Sequence, residues 1–125
     1  MDRNQQKKTL VLGASKNPDR YSFIAINRLR KHGHPVVAIG KKQSVVADVP
    51  IGVEKSVFPD IDTVTLYLNS QNQKQYYDYI LSLHPKRLIF NPGAENDELY
   101  ELAEKNGIKQ SPKHGSTVFK FIRES

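Results

Sequence analysis

The segment TLVLGASKNPDRYSFIAINRLRKHGHPVVAIG, residues 9–40, decides the fold class of this chain. It opens on an unbroken apolar run, Thr9–Leu12, which is typical of a central strand covered on both faces. A second run of this kind, Val36–Ile39, closes the segment. Ala25 and Leu29 lie between the two runs at the i, i+4 spacing of one helical face. The segment therefore predicts a β-α-β unit with parallel strands.

The remainder of the chain continues to alternate apolar runs with amphipathic segments, which predicts an α/β fold with about five main strands and helices on both faces of the sheet. The expected elements share this pattern. The first is a helix capped by Ser22 or Asp19 and stopped at Gly33, and a loop over Ser44–Phe58 with a short edge strand near Val49–Ile51 and one helical turn comes later in the chain. Next come a strand over Thr63–Leu68, a helix opened by a Ser70–Gln73 capping box with Tyr76, Ile80 and Leu83 on its buried face and ended by His84-Pro85, and a strand over Arg87–Phe90. The chain then forms a helix through Leu99, Leu102 and Ala103 stopped by Asn106-Gly107, a short strand over Ile108–Ser111, and a closing helix through Val118, Phe119 and Ile122 with Lys120 and Arg123 in solvent.

The composition is that of one globular domain over residues 1–125, with residues 1–7 as a flexible tail. The chain has no cysteine, which excludes disulfides and thiolate chemistry. No apolar stretch approaches the roughly 20 residues that span a bilayer and the start is polar, so we expect a cytoplasmic protein with no membrane partner. The net charge of +6 favours an anionic ligand. The basic residues are spread along the chain, which argues against nucleic acid as that ligand.

Small, polar or basic residues follow four of the predicted strands. These strand ends are Gly13-Ala14-Ser15, Gly40-Lys41-Lys42, Asn69-Ser70 and Asn91-Pro92-Gly93. Ligands of open parallel sheets bind beyond the carboxyl ends of the strands, where the strand order reverses. The sequence therefore predicts a binding site at this edge of the sheet.

The first of these loops, GASKNPDRYS over residues 13–22, resembles a nucleotide-binding turn. Gly13 permits a tight exit from the strand, and Ala14 and Ser15 leave room for a diphosphate at the backbone N–H groups of the next helix. Ser15 stands where the G-x-G-x-x-G pattern has its second glycine, and the third glycine is absent. An ordinary strand-to-helix turn therefore stays open as an alternative.

Lys41 and Lys42 follow the second strand, where folds that bind NAD usually carry an acidic residue for the ribose hydroxyls. A lysine pair would instead stabilise an additional phosphate on the ribose, as in coenzyme A or NADP. NAD is therefore a less favoured ligand than coenzyme A or NADP. The alternative without a ligand is that both lysines are simply solvated at the surface.

Catalytic alternatives have little support in the sequence. His32 and His34 are two residues apart and lack an acidic cluster, so we expect surface histidines and no metal site. His114 lies near Ser116, but no third group or G-x-S-x-G elbow accompanies them. Glu95 could polarise a ligand, although acidic residues are also common at helix N-termini. No catalytic residue is assigned.

Three segments together resemble the small single-domain CoA-binding proteins, whose domain is similar to the N-terminal domain of the succinyl-CoA synthetase α subunit. They are TLVLGASKNPDRYSFIAINRLRKHGHPVVAIG, DIDTVTLYL and IFNPGAEN, and the resemblance extends from about Lys8 to Ile122. It implies a Rossmann-like doubly wound sheet with coenzyme A across the strand ends and no recognised catalytic machinery.

The resemblance also implies ligand contacts by position. The residues implied at the diphosphate are Gly13, Ala14, Ser15, Arg20 and Ser22, those near the adenosine phosphate are Lys41 and Lys42, and those bordering the pantetheine are Asn69, Asn91, Pro92 and Gly93. Relatives often have Cys-Thr where this chain has Ser116-Thr117, which weakens redox or acyl-transfer chemistry.

Two function hypotheses follow. The first is a cytoplasmic protein that binds coenzyme A or an acyl-CoA and is not an enzyme on its own. The alternative is an NADP-dependent oxidoreductase or redox sensor that uses the same loop. Tyr76, Tyr77 and Tyr79 exceed what one helical face can bury, which leaves a homodimer open.

Overall fold

A computed structural model describes residues 7–111 and 118–123 of the chain. Within these residues seven strands form one sheet in the order β3-β4-β2-β1-β5-β6-β7. Every neighbouring pair is parallel except β3 and β4, which are antiparallel. The strands are β1 (Thr9–Ala14), β2 (Val36–Gly40), β3 (Ser44–Val46), β4 (Val49–Gly52), β5 (Thr63–Leu66), β6 (Arg87–Phe90) and β7 (Lys109–Gln110).

Helices cover both faces of the sheet, as expected for a doubly wound, Rossmann-like fold. They are α1 (Tyr21–Lys31), α2 (Ser70–Gln73), α3 (Tyr77–Ser82), α4 (Asp97–Lys105) and α5 (Val118–Arg123), with a 3₁₀ turn over Lys74–Tyr76. Alternate residues of β1 face opposite sides, because Leu10 and Leu12 join the core under α3 and α4 whereas Val11 joins the core under α1 and α5. The predicted α/β class is confirmed.

The segment after β2 differs from its prediction. It contains no helical turn over Ser44–Phe58, and the edge strand is β3, which the sequence analysis missed. β3 and β4 form a hairpin through Ala47 and Asp48, with Ala47 at φ 55°, a conformation that alanine rarely adopts. Because the turn lacks glycine, asparagine-glycine or another usual hairpin sequence, nothing local marked it.

Both predicted N-caps are wrong. Arg20 is the N-cap residue of α1 and provides no side-chain cap, while Ser22 lies inside the helix. Asn69, rather than Ser70, caps α2 by accepting a hydrogen bond from the backbone N–H of Asn72 at 2.9 Å. The Ser22 hydroxyl instead accepts a hydrogen bond from the N–H of Ser15, and the Gln73 side chain donates to the carbonyls of Leu68 and Ala94. The predicted helix stops at Gly33 and Gly107 are confirmed, with positive φ at each.

The predicted helix after Ser70 is interrupted by the 3₁₀ turn, so Tyr76, Tyr77 and Tyr79 do not belong to one continuous helix. Tyr79 is buried and its hydroxyl donates to the carbonyl of Ser56 at 2.5 Å. Tyr77 donates to Glu98, and the Tyr76 ring lies 6.4 Å from that of Tyr79. All three tyrosines therefore have partners within the chain.

His34 contacts the first described residue of the chain, Lys7. It was predicted at the surface and is instead buried. Its Nδ1 accepts a hydrogen bond from the backbone N–H of Lys7 at 3.1 Å, so Lys7 does not belong to a free tail. Arg30 forms a bidentate pair with Asp48 and also donates to the His34 carbonyl at 2.9 Å. This guanidinium ties the end of α1 to the β3-β4 hairpin. The other residues of the predicted tail over 1–7, residues 1–6, lie outside the described residues.

Gly40 leaves no room for a side chain between β1 and β2. A Cβ placed on Gly40 would lie 2.2 Å from the carbonyl oxygen of Ala14, its partner in the sheet. That oxygen belongs to the backbone and cannot move aside without disturbing the end of β1. Gly52 ends the next strand, and a Cβ there would meet nothing within 4 Å.

We predict that Gly40→Ala lowers the free energy of unfolding by about 1–3 kcal/mol, the usual cost of forcing an extra group into a packed site. Gly52→Ala is the matched control and should change it by less than about 0.5 kcal/mol. Urea unfolding of the two variants measures the difference. Equal effects of the two substitutions would contradict the close approach.

We also predict a pH dependence that originates in His34. Burial chiefly, and then the positive charges of His32 and Lys7, lower its pKa. The unfolded chain binds a proton near the ordinary histidine pKa of about 6.5, and the folded protein resists it. The contribution is therefore fully present above about pH 6.5 and is lost as the pH falls below it.

The check is urea unfolding at about pH 7.5 and about pH 5.5 for the wild type, His34→Gln and His32→Gln. His34→Gln should lose less stability between the two pH values than the wild type. His32→Gln removes only a secondary cause of the lowered His34 pKa, so its loss should lie between those of His34→Gln and the wild type. An unchanged pH dependence in His34→Gln would assign the effect to other groups.

Candidate functional site

The sheet order reverses at β1, which has β2 on one side and β5 on the other. The chain builds outward from β1 through β2 and β4 in one direction and through β5, β6 and β7 in the other. A crevice at the carboxyl ends of β1 and β5 is the expected ligand site of such a sheet. The strand register brings Leu12, Leu66 and Phe90 level with one another, so the loops that follow them begin side by side.

Gly13 makes the exit from β1 possible. It has φ +97°, a conformation that L side chains rarely adopt, and the register of β1 with β2 shifts at this residue. A Cβ on Gly13 would lie 3.1 Å from the backbone nitrogen of Leu68, which follows β5. Gly13 therefore allows the two sides of the crevice to touch, and Ala14 beside it is paired with Gly40.

The loop between Gly13 and α1 is organised by its own side chains. The backbone N–H of Ser15 donates to the Ser22 hydroxyl at 3.1 Å, and the Ser15 hydroxyl accepts from the N–H of Asn17 at 3.1 Å. Asn17 in turn accepts from the N–H of Asp19. Ser22, predicted to meet a diphosphate, is buried and closes this loop. Its hydroxyl shapes the loop from inside.

The amino terminus of α1 has free hydrogen-bond donors. Among the described residues no acceptor faces the backbone N–H groups of Tyr21 and Ser22, and no side chain caps the helix. The first turn holds no acidic residue, and Arg20 is exposed immediately before it. Unsatisfied N–H groups at the positive end of a helix, together with a guanidinium, form a favourable site for an anion.

Four cations stand on the loops at this edge. Lys16, Arg20, Lys41 and Lys42 are all exposed, and within the described residues none of them forms an ion pair. The loop contains one acid, Asp19. The positive charges therefore outnumber the negative ones on this side of the crevice, which favours a ligand with more than one phosphate.

The side chain of Asn91, which was predicted to border the ligand, forms hydrogen bonds within the protein beneath the loop. It is buried, and its Nδ2 donates to the Thr65 hydroxyl at 2.7 Å and to the Leu66 carbonyl at 2.9 Å. Its Oδ1 accepts from the backbone N–H of Val118 at 2.9 Å. This one amide joins β5, β6 and α5, so it supports the Pro92–Gly93 turn.

The remaining predicted residues lie at the surface of the crevice. Asn69, Pro92 and Gly93 are exposed. Gly93 has φ +89°, and a Cβ there would meet nothing within 4 Å, so open space borders the turn. Its N–H donates to the Glu95 carboxylate at 2.9 Å, which gives Glu95 a role inside the loop. These residues follow β5 and β6, on the opposite side of the crevice from Lys41.

Two residues important for this site were missed by the sequence analysis. Gly40 was noted only as the last residue before the lysine pair, although its contact with Ala14 sets the spacing of the two strand ends. Gln73 was assigned to a capping box, but its buried amide bonds two of the loops. Both roles depend on partners that are distant along the chain, so no local sequence pattern indicates them.

Other chemistries find little in the described part of the chain. It holds no group of three or more histidine, cysteine, aspartate or glutamate side chains that could bind a metal ion. His114, Ser116 and Thr117 lie outside it. In residues 7–111 and 118–123, no helix combines the length and the apolar character required to cross a bilayer.

Comparison with known proteins agrees with the geometry. Residues 7–114 match a family described as a CoA binding domain. A crystal structure of an uncharacterized protein is 44% identical to this chain with a TM-score of 0.89, and the match covers 95% of this chain and 96% of that one. No curated protein matches the sequence.

Two more distant structures share the fold. A conserved hypothetical protein from Pyrococcus furiosus is 24% identical with a TM-score of 0.78, over 95% of this chain and 99% of that one. The dinucleotide-forming acetyl-coenzyme A synthetase 1 of Ca. Korarchaeum cryptofilum, in complex with phosphate and ADP, is 19% identical with a TM-score of 0.69, over 86% of this chain and 26% of that one. With the family match extending over most of the sequence, the chain belongs to the CoA binding domain family.

Proposed function

We propose that this protein binds coenzyme A, free or as an acyl-CoA, across the carboxyl ends of β1, β2, β5 and β6. The observation that carries the proposal is the uncapped amino terminus of α1 at the point where the strand order reverses, with Arg20 beside it. Membership in the CoA binding domain family supports the same ligand.

The diphosphate of the ligand lies at the start of α1 in this proposal. The free N–H groups of Tyr21 and Ser22 donate to its oxygens, and Arg20 adds a charge-assisted hydrogen bond. Ser15 and Ser22 hold the loop in shape through their mutual hydrogen bond. Gly13 and Ala14 contribute by leaving the backbone uncovered, since neither carries a side chain larger than a methyl group.

The additional phosphate on the ribose lies near Lys41 and Lys42. Both lysines are exposed and without an ion pair among the described residues, so no internal carboxylate competes for them. They follow β2, the strand beside β1, which is where the adenosine side of a nucleotide lies in sheets of this kind. A phosphate held between two ammonium groups would discriminate coenzyme A from its dephospho form.

The pantetheine arm runs over the other side of the crevice, past Asn69 and the Pro92–Gly93 turn. This arm is uncharged and carries amide groups, so exposed backbone and an asparagine side chain suit it better than cations do. Asn91 acts from below by fixing the turn to β5. The domain serves as a binding protein, and no catalytic role is assigned to Glu95, whose carboxylate accepts from Gly93.

The experiment that tests this function is a thermal-shift comparison of coenzyme A, acetyl-CoA, NADP and NAD at equal concentrations. A ligand that binds only the folded state raises the melting temperature, and at equal concentration a tighter ligand raises it more. We expect stabilisation by coenzyme A and acetyl-CoA and little by NAD. Stabilisation by NADP alone would overturn the proposal in favour of a nicotinamide-dependent oxidoreductase or redox sensor.

We predict that the wild type binds coenzyme A at least about tenfold more tightly than dephospho-CoA, because a charge-assisted contact contributes roughly 1.5–3 kcal/mol. The double variant Lys41→Ala/Lys42→Ala should bind the two ligands with nearly equal affinity. Lys31→Ala, at the far end of α1, is the control for a general loss of positive charge. Isothermal titration measures all three proteins, and a preference that survives in the double variant would remove the lysines from the site.

A further inference from the structure

Gln73 is a buried polar residue behind the crevice, and its hydrogen bonds within the fold make full use of its two donors. It has no exposed surface. Its Nε2 donates to the carbonyl of Leu68 at 2.7 Å and to the carbonyl of Ala94 at 2.8 Å, which uses both of its hydrogens. Its Oε1 accepts from Nδ2 of Asn96 at 2.8 Å. A buried amide satisfied in this way is rigid and costly to disturb.

These bonds connect the two loops that border the pantetheine in the proposed function. Leu68 precedes Asn69 in the loop after β5, and Ala94 follows Gly93 in the loop after β6. No strand pairing reaches either residue, because β5 ends at Leu66 and β6 ends at Phe90. The Gln73 amide therefore sets the distance between the loops just beyond the sheet.

The network continues from Gln73 to the surface. Asn96 donates its second amide hydrogen to the Tyr77 hydroxyl at 2.9 Å, and that hydroxyl donates to the Glu98 carboxylate at 2.9 Å. Asn96 also caps α4, because its Oδ1 accepts from the N–H of Leu99 at 3.2 Å. The start of α4 and the Gln73 side chain are consequently held by the same residue.

We infer that Gln73 is a positioning residue for the pantetheine side of the site, which it controls through the spacing of the Asn69 and Gly93 loops; this rests on the proposed function. It acts without touching the ligand. The diphosphate side has supports of its own besides its contact with Leu68, because β1 pairs with β2 and the Ser15–Ser22 hydrogen bond closes the loop before α1. A change at Gln73 should therefore affect one end of the ligand more than the other.

The test compares two ligands on the full chain. One is coenzyme A, and the other is adenosine 3′,5′-bisphosphate, which keeps the 3′-phosphate and the first phosphate of the diphosphate but lacks the second phosphate and the pantetheine arm. Gln73→Met keeps the volume of the side chain and removes both donors. We expect it to weaken coenzyme A binding about fivefold to tenfold while the affinity for the bisphosphate changes less than about twofold. Isothermal titration is made well below the melting temperature of each variant.

A gentler variant guards against loss of the fold in Gln73→Met. Asn96→Ser retains an oxygen that can cap α4 but removes the donor to Gln73, so it should shift the two affinities in the same unequal way by a smaller factor. Ile80→Val is the control, since Ile80 is buried in the adjacent core of α3 and lies outside the polar network. It should destabilise the protein slightly and leave both affinities unchanged.

Three results would overturn the inference. Equal weakening of both ligands by Gln73→Met and Asn96→Ser would assign Gln73 a general structural role, and unchanged coenzyme A binding would remove it from the site. A wild type that binds the bisphosphate but gains nothing from the pantetheine arm would also overturn it. Absence of coenzyme A binding by the wild type would reject the proposed function itself and this inference with it.

Discussion

The close approach of three backbones at the end of β1 is the constraint on which the site depends. Gly40 lies against the carbonyl of Ala14, and Gly13 lies against the backbone of Leu68. Side chains at either glycine would separate the strands, and Gly13 also adopts a left-handed conformation. As a result the chain leaves the sheet abruptly and enters α1 directly over the crevice. The same geometry that packs the sheet thus places the free N–H groups of α1 at the crevice that we propose as the ligand site.

Two buried amides complete the site from the other side. Asn91 fastens the end of β6 to β5 and α5, and Gln73 fastens the loops beyond those strands to each other. Both residues are buried, so water cannot compete for their hydrogen bonds, and each broken bond would leave an unsatisfied polar group. The loops are therefore held in place before any ligand arrives. Preorganised loops reduce the ordering cost of binding, which suits a protein whose proposed role is to hold a long cofactor.

The elements that the sequence predicted well are those whose pattern is local. The apolar runs of β1, β2 and β6 reflect strands buried on both faces, and the spacing of Ala25 and Leu29 reflects a helix buried on one face. Both patterns are visible in the order of neighbouring residues. The β3-β4 hairpin was missed because its turn relies on Ala47 in a strained conformation instead of on glycine. The capping errors have another cause, since the Ser22 hydroxyl and the Gln73 amide have tertiary partners that outcompete the expected local ones. In the candidate site, the glycine and the small residues of the loop were enough to predict a binding turn at Gly13 and the start of α1. The supporting roles of Gly40, Gln73 and Asn91 could not be predicted, because their partners come close only in the folded chain.

The central claim is that the ligand lies across the carboxyl edge of the sheet with its phosphates at the start of α1. The most direct measurement is an NMR titration of the isotopically labelled protein with coenzyme A, in which the backbone amide signals report where the ligand lies. We expect the amides of Tyr21, Ser22 and Gly93 to shift with one binding curve. The amides of Lys8 and Lys86, at the opposite edge beside Asp62, should stay in place. Shifts confined to Lys8, Lys86 and their neighbours, or no saturable shift at Tyr21 and Ser22, would contradict it.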